Sequence, residues 1–242
     1  MSVGLPVAAL ADCGSLPNHD QLAAALRDSV KPSGGPSNGG LDLNMWASIV
    51  DVDGTVCAVA FTGNAFTDQW LGSRVISAQK ANTANAFSLD GLALSTANLY
   101  AATQPGGSLF GLQESNPVDV AVAYGGSAGA FGTADDPMTG KRIGGVNVFG
   151  GGLALYKDGK IGAIGVSGDT SCADHNIAWR VREALGLGEV PAGVSPNKDD
   201  GIIYDIAGGA SQGGFGHPAC GGNEAAVAEE IGAGAIVPAL VQ

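Results

Sequence analysis

The residues of this chain best suited to chemistry fall in two places along the sequence. Arg74 and Lys80 lie among small and neutral residues in a chain that has only 11 basic residues. Two cations on one predicted helix could hold an anionic group such as a carboxylate, while ordinary pairing with acidic residues explains them equally well. Asp174 and His175 lie in the first turn of a second predicted helix. A carboxylate and an imidazole side by side could move a proton or bind a metal ion.

The glycine-rich stretch from Gly144 to Gly152 is a second kind of candidate. Its backbone N–H groups have few side chains to cover them, and Asn147 lies within it. Such a stretch suits a ligand that lies against the chain, although a tightly packed start to a strand explains it as well. The stretch lacks the GxGxxG spacing and precedes a predicted strand, so we expect no nucleotide cofactor.

Three histidines offer metal ligands, and His175 is the most promising of them. Its place in the first turn of a helix lets the ring project into a pocket, while a surface histidine beside Asp174 is the alternative. His19 and His217 lie in terminal segments and are weaker candidates.

Composition excludes several functions. The formal net charge is −12 and the chain has no cluster of Lys and Arg, so nucleic-acid binding is not expected. No apolar stretch reaches the roughly 18–20 residues of a membrane-spanning helix, so we predict no membrane insertion. Residues 1–11 are mildly apolar without a basic start, which fits the mature start of an exported protein whose signal peptide has been removed.

The four cysteines, Cys13, Cys57, Cys172 and Cys220, have no CxxC spacing and so do not indicate a thiolate zinc site. They allow three disulfide pairings. We favour Cys13–Cys220, because both residues lie in loop-like terminal segments that a bridge would hold together. Cys57 and Cys172 either pair with each other or remain buried free thiols. A structural disulfide would place the protein in an oxidising compartment, secreted or periplasmic.

Two copies of one pattern position these residues. Residues 46–63 and 153–168 each read as an apolar strand, an Asp-Gly turn and a second apolar strand, and an Ala-rich helical segment follows each. The Asp-Gly pair between apolar runs indicates a tight hairpin. The predicted helices cover about 68–87 and 171–185. We therefore predict a central antiparallel sheet with a helix from each unit packed on it.

The rest of the chain adds to a single domain over residues 1–242. One short helix begins near Asn18 and another near Asn223. Residues from about 88 to 143 form an inserted irregular segment, and a Gly-rich C-terminal extension starts at about 207. An irregular segment this long is typical of a functional lid or of a contact between subunits.

Three segments together resemble the GlcG/HbpS family, also described as the haem-binding or haem-degrading domain. They read IVDVDG at 49–54, SAQKANTA at 77–84, and GGLALYKDG followed by GAIGVSG between 151 and 168. The resemblance implies an α/β (α+β) fold, a profilin-like three-layer sandwich with a central five-stranded antiparallel sheet and helices on its faces. It also implies haem as the cofactor and association into homo-oligomers, either dimers or larger rings.

Seven residues of this chain align with positions of the family: Asp51, Lys80, Thr83, Gly151, Gly152, Ser167 and Asp174. The predicted ligand site combines some of these with the candidates above and consists of Arg74, Lys80, Thr83, Asn147, Gly151, Asp174 and His175. We expect an exported protein that binds haem or a related tetrapyrrole. Arg74 or Lys80 would pair with the propionates and His175 would approach the iron. Phe110 and Phe149 would supply apolar cover.

Two other functions compete with this one. The chain could be an enzyme, or a former enzyme, that acts on a small carboxylate held by Arg74 and Lys80, with Asp174 or His175 moving the proton. A pocket too small for a porphyrin and lined by these groups would favour the enzyme. The chain could also be an assembly module in which the insertion at 88–143 joins subunits.

Overall fold

The structure is a computed structural model that describes residues 13–30 and 37–238. Residues 1–11, interpreted above as a mature start, lie outside the described part of the chain. The elements in chain order are helix α1 His19–Val30, strands β1 Trp46–Asp51 and β2 Val56–Phe61, helices α2 Ser73–Phe87, α3 Tyr100–Thr103 and α4 Val120–Ala123, strands β3 Gly152–Tyr156 and β4 Lys160–Ser167, helix α5 Ser171–Ala184, strands β5 Ile202–Tyr204, β6 Ile206–Ala207 and β7 Ala210–Ser211, helix α6 Glu224–Glu230 and strand β8 Gly234–Ile236.

The two predicted hairpins form and join into one antiparallel sheet with the strand order β2-β1-β4-β3. In the turns, Gly54 has a φ of 83° and Asp158 a φ of 55°, the positive values that tight hairpins need. Strands β1 and β4 lie at the centre of the sheet, with Ile49 opposite Ile164. The predicted mixture of an antiparallel sheet with helices is therefore confirmed.

The sheet has four strands, so the prediction of five strands was wrong. Each hairpin contributes two strands, and irregular chain meets both edges. At the β3 edge the Tyr156 N–H donates to the Leu187 carbonyl oxygen, and at the β2 edge the Val56 N–H donates to the Lys141 carbonyl oxygen. After α5 the chain touches the β3 edge at Leu187 but adds no fifth strand among the described residues, and β5 instead pairs with β8 in a separate parallel pair.

Helices cover both faces of the sheet. Helices α1 and α5 pack on one face, where Ile49 and Ile177 belong to the same core cluster. Helix α2 packs on the other face, where Val50 and Ala81 share a second cluster. Gly165 of β4 permits this close approach, because a Cβ there would overlap the backbone of α2.

Two further segments complete the molecule. Residues 88–143, the insertion, contact the polar side of α2 through the Asp136 carboxylate. Residues 185–238, the C-terminal segment, cover α5 through hydrogen bonds from His175 and Asn176 to backbone carbonyl oxygens. In the described part of the chain, no helix has the length and apolar character needed to cross a membrane.

The predicted disulfide Cys13–Cys220 was wrong, and so was the alternative pair Cys57–Cys172. The bridges are Cys13–Cys57 and Cys172–Cys220, with Cα–Cα distances of 5.3 and 6.1 Å. Helix packing decides the pairing, since α1 lies against β2 and the chain at 217–220 crosses the start of α5. These contacts join distant parts of the sequence, so local pattern does not reveal them.

Candidate functional site

Lys80 and Asp174 form a buried ion pair where the two hairpin–helix units meet. Lys80 Nζ lies 2.7 Å from Asp174 Oδ2 and donates a second hydrogen bond to the Val166 carbonyl oxygen at 3.1 Å. The two side chains are 1% and 3% exposed, so each charge is neutralised by the other and not by solvent. Burial raises the pKa of Asp174 to about 6, and the nearby Lys80 charge opposes that rise.

The glycine stretch runs directly over this ion pair. Gly151 has a φ of 116°, and a Cβ there would come within 3.1 Å of Lys80 Nζ and 2.5 Å of the Val166 carbonyl oxygen, so only glycine fits. Further along the stretch, the Asn147 N–H donates to Thr83 Oγ1 at 2.9 Å. The structure thus gathers five of the seven predicted ligand residues into one closed, hydrogen-bonded strip.

His175 follows Asp174 in the chain but has a different partner. Its Nε2 lies 3.1 Å from the Ala233 carbonyl oxygen, and a carbonyl only accepts, so Nε2 carries the hydrogen. The Nδ1 atom is then a lone pair, without a hydrogen-bond partner among the described residues. Burial lowers the pKa of His175 to about 3, which keeps the ring neutral. A neutral imidazole with a free ring nitrogen is the form that binds a metal ion.

Arg74 stands apart from the other predicted ligand residues. Six positions separate it from Lys80, and at about 3.6 residues per turn this places the two on different sides of α2. Its guanidinium forms a buried bidentate pair with Asp136, with Nε 2.8 Å from Oδ2, and Nη1 donates to the Ala123 carbonyl oxygen at 3.0 Å. The guanidinium carbon also lies 3.9 Å from the centre of the Phe131 ring. The insertion therefore uses every nitrogen of this side chain.

A groove of about 620 Å³ opens between the chain at 100–108 and the β6–β7 hairpin. Its lining includes Tyr100, Gln104, Pro105, Ile206, Ser211 and Pro218. The centre of the Tyr100 ring lies 5.1 Å from that of His217 and 6.5 Å from that of Phe149. Because Phe149 is part of the glycine stretch, the groove lies beside that stretch. Phe110, the other predicted cover, is 66% exposed at the surface of the insertion.

His217, a weaker candidate on its place in a terminal segment, lies in the interior of the fold close to His175. It is buried, its Nδ1 donates to the Pro218 carbonyl oxygen at 2.8 Å, and its Nε2 accepts the Gly150 N–H at 3.4 Å. Burial lowers the pKa of His217 to about 4, so this ring is neutral as well. Gly150 lies between the two histidines, since a Cβ there would come within 3.1 Å of His175 Cβ. The signal that could have found His217 is its spacing of three residues from Cys220.

A family model described as "Haem degrading protein HbpS-like" matches residues 21–183. The chain belongs to this family. It is similar to a solved PduOC:Heme complex, with 27% identity, 72% of this chain and 96% of that chain covered, and a TM-score of 0.49. It is also similar to Klebsiella pneumoniae protein ORFY (21% identity, 76% and 98% covered, TM-score 0.49) and to HbpS (14% identity, 77% and 99% covered, TM-score 0.44). No curated protein matches it.

The HbpS-like match divides the site into two parts. The Lys80–Asp174 pair and the glycine stretch lie within the matched residues. The C-terminal segment lies beyond them and supplies His217, the Ala233 carbonyl oxygen and one wall of the groove. The closed polar strip is thus part of the HbpS-like core, and its cover on the α5 side is an addition to that core.

Proposed function

We propose that this HbpS-like protein binds haem or a related tetrapyrrole in the groove beside the glycine stretch. The observation that carries the proposal is the groove itself, about 620 Å³ with Tyr100 in its wall and the buried His217 ring 5.1 Å from the Tyr100 ring. Ligand sites typically have volumes of about 300–1,000 Å³ and are lined by aromatic and apolar groups with a few polar ones. Membership of a family described as haem-degrading supports the same ligand.

Of the two buried histidines, only His175 has a ring nitrogen free for a haem iron, because both nitrogens of His217 are already hydrogen-bonded. Both rings are neutral, and an imidazole must be neutral to bind a metal ion. His175 offers an unpartnered Nδ1 lone pair, with its other nitrogen held by the Ala233 carbonyl oxygen. Such a second hydrogen bond orients metal-binding histidines generally. When bound, haem would supply an iron centre for one-electron and oxygen chemistry.

The propionates would find no free cation at Arg74 or Lys80 in this conformation. Asp136 pairs with Arg74, and Asp174 pairs with Lys80. We therefore propose that the propionates of a tetrapyrrole in the groove face solvent. The same pairing weakens the case for an enzyme acting on a small carboxylate, because the cations assigned to hold that carboxylate are already neutralised.

A haem titration followed at the Soret band tests the proposal. We expect a shift that saturates at one haem per chain. Replacing His217 or His175 by Ala should weaken binding by about 10–100-fold or move the band. His19→Ala is the matched control, because this histidine bonds to Asp20 and to the Gly132 carbonyl oxygen, within α1 and the insertion. Ser108→Trp would fill the groove and should abolish the shift.

Three outcomes would remove the proposal or part of it. No shift at stoichiometric haem would end the haem assignment. A shift that is unchanged in His175→Ala would end the assignment of the iron ligand. A shift unchanged in Ser108→Trp would place the ligand outside the groove.

We also propose that the protein is exported to an oxidising compartment. Its two disulfides use all four cysteines, and disulfides persist mainly outside the reducing cytosol. Fractionation of the source cells, followed by thiol labelling without reductant, tests this. A cytosolic protein with reactive thiols would contradict it.

Association of several copies of the chain remains a further proposal. Leu71 and Tyr124 are 58% and 69% exposed at the rim of an apolar cleft of about 270 Å³, and Trp70 beside them is 53% exposed. Exposed apolar patches of this kind often mark interfaces. Light scattering of the protein and of a Leu71→Asp/Tyr124→Asp variant should show a loss of oligomers. A monomer in both cases would contradict the proposal.

A further inference from the structure

We infer that the Cys172–Cys220 disulfide is a site of thiol–disulfide exchange with an external dithiol, whereas Cys13–Cys57 is a structural bridge. The two bridges close chain segments of similar length, with sequence separations of 48 and 44. They differ in the groups that surround the sulfur atoms. This inference does not depend on haem.

Donors of hydrogen bonds surround the Cys172–Cys220 bridge. Cys220 Sγ accepts the Cys172 backbone N–H at 3.3 Å, and Ser171 Oγ lies 3.6 Å from it. Both residues are in the first turn of α5, where free N–H groups and the helix dipole favour negative charge. Thr170 Oγ1 accepts the Ala173 N–H, so the helix start is fixed in place. A thiolate formed at Cys220 would be held by these groups.

His217 lies beside the other sulfur atom of the bridge, Cys172 Sγ. Its Nδ1 lies 3.9 Å from Cys172 Sγ and carries a hydrogen, since it also donates to the Pro218 carbonyl oxygen. A polarised N–H at this distance stabilises a thiolate at Cys172 better than the apolar interior would. Each sulfur atom of the bridge therefore has its own donor and can serve as a leaving group.

The Cys13–Cys57 bridge is the more exposed of the two, with Cys13 exposed and Cys57 half-buried, but the groups around its sulfur atoms disfavour a thiolate. Cys57 Sγ lies 3.5 Å from the Thr55 carbonyl oxygen. The Asp51 carboxylate lies within 4.8 Å of both sulfur atoms. The Pro218 carbonyl oxygen lies as close to Cys172 Sγ, at 3.4 Å, so the carboxylate is what distinguishes the two bridges. Its negative charge disfavours a nearby thiolate, which makes either Cys13 or Cys57 the poorer leaving group.

The exchange takes place in two steps. The thiolate of the dithiol attacks Cys220 Sγ, which is the half-buried sulfur, and a new S–S bond forms while the Cys172–Cys220 bond breaks with its electron pair on Cys172. The second thiol of the reagent then attacks the mixed disulfide and releases the Cys220 thiolate. The dithiol is oxidised to a disulfide, the protein gains two electrons, and the two thiol protons pass to solvent or to the cysteines.

Limited reduction of the full chain tests the inference. The folded protein is treated with limiting dithiothreitol, quenched with iodoacetamide at intervals, and each cysteine is scored by peptide mass spectrometry. We expect Cys172 and Cys220 to be alkylated about tenfold faster than Cys13 and Cys57, or more. In denaturant the rates should converge, because the difference arises from the fold. Equal rates in the folded protein, or faster opening of Cys13–Cys57, would overturn the inference.

Variants that keep both bridges test its cause. Ser171→Ala and His217→Gln should each slow the opening of Cys172–Cys220 several-fold. Asp51→Asn is the matched change at the other bridge and should speed the opening of Cys13–Cys57. After reduction, the pH midpoint of Cys220 alkylation should lie below that of Cys57. If no variant changes the rates, the surrounding groups do not control exchange and the assignment fails. The measurement uses no haem, so it is independent of the Soret titration.

Discussion

The two hairpin–helix units have the same backbone plan but differ in the segment that packs over each helix. The insertion covers α2 and the C-terminal segment covers α5, and we call these two segments the covers. In the first unit, α2 directs Arg74 to Asp136 of the insertion. In the second, α5 directs His175 to the Ala233 carbonyl oxygen of the C-terminal segment. The repeated hairpin and helix therefore determine the backbone scaffold, while the segment packed over each helix determines which partners its polar side chains bind.

The covers also differ in their relation to the family. The insertion falls within the residues matched by the HbpS-like model, and the whole C-terminal segment falls outside them. That segment carries His217 and Cys220, which are absent from the predicted ligand site. The α5 side is therefore where we expect this chain to differ in function from the HbpS-like core alone.

The largest expected effects come from the ion pair that anchors each cover. Arg74 pairs with Asp136, and Arg182 of α5 pairs with Asp200 of the C-terminal segment at 2.7 and 2.8 Å. All four side chains are almost fully buried. Asp136→Ala or Asp200→Ala leaves a buried guanidinium unpaired, so we expect each to lower the free energy of unfolding by about 3–5 kcal/mol.

Urea unfolding measures that loss, and hydrogen exchange locates it. Asp136→Ala should increase exchange first in the insertion, and Asp200→Ala first in the C-terminal segment. Exchange that rises equally in both segments in both variants would show that the covers are not independent. Arg182→Met/Asp200→Leu is the matched control, because replacing both charges should restore much of the stability.

The sequence predicted the scaffold well and the covers poorly. Asp-Gly turns and apolar runs are local signals, so both hairpins and the start of α5 at Ser171 were found. Helix α2 begins at Ser73 and not near Asp68, because the Asp68 carboxylate accepts the N–H groups of Asn64 and Ala65 and holds that chain in a turn.

The acidic partners of Arg74 and Lys80 could not be predicted from local sequence patterns. Asp136 lies 62 positions from Arg74, and Asp174 lies 94 positions from Lys80. Nothing in the neighbourhood of either cation indicates a partner so distant. Both cations form ion pairs, the ordinary pairing that the sequence left open as an alternative, but the partners could not be named. The wrong disulfide pairing has the same cause.

The two disulfide bridges, one beside each hairpin–helix unit, should stabilise the protein to a similar extent. Because the closed segments span 44 and 48 residues, the chain-entropy model assigns them nearly equal stabilisation. We expect Cys13→Ser/Cys57→Ser and Cys172→Ser/Cys220→Ser each to lose about 2–4 kcal/mol, within about 1 kcal/mol of each other. Urea unfolding provides the values. A much larger loss for one pair would show that native contacts, and not loop closure, dominate there.

Lowering the pH should destabilise the α5 side of the molecule more than the α2 side. Burial lowers the pKa of His175 to about 3 and that of His217 to about 4, so their contribution to stability is present above about pH 6.5 and is lost as the pH falls towards these values. Burial raises the pKa of Asp174 to about 6, so its contribution is complete below about pH 4 and is lost as the pH rises through about 6. Two histidines outweigh one aspartate, and we expect a net loss of about 2–3 kcal/mol between about pH 7 and about pH 4.5.

Unfolding at a series of pH values gives this slope directly. His217→Gln should flatten it, since a glutamine does not take up a proton. A slope that is the same in the His217 variant would mean that this ring is not what resists acid.

The smallest effect belongs to an ion pair that also joins a unit to its cover but lies at the surface. Arg142 of the insertion pairs with Asp53 in the turn of the first hairpin, and the Arg142 side chain is 64% exposed. The hydrogen bond from Arg142 lowers the pKa of Asp53 to about 2. Exposed pairs contribute little to stability because solvent screens them and the side chains lose entropy. We expect Arg142→Ala to lower the unfolding midpoint only slightly. The pKa of Asp53, followed by NMR, should rise by the correspondingly small amount that linkage requires. A clear drop in the midpoint would mean that contact between unit and cover matters even without burial, and the contrast with Asp136→Ala would then fail.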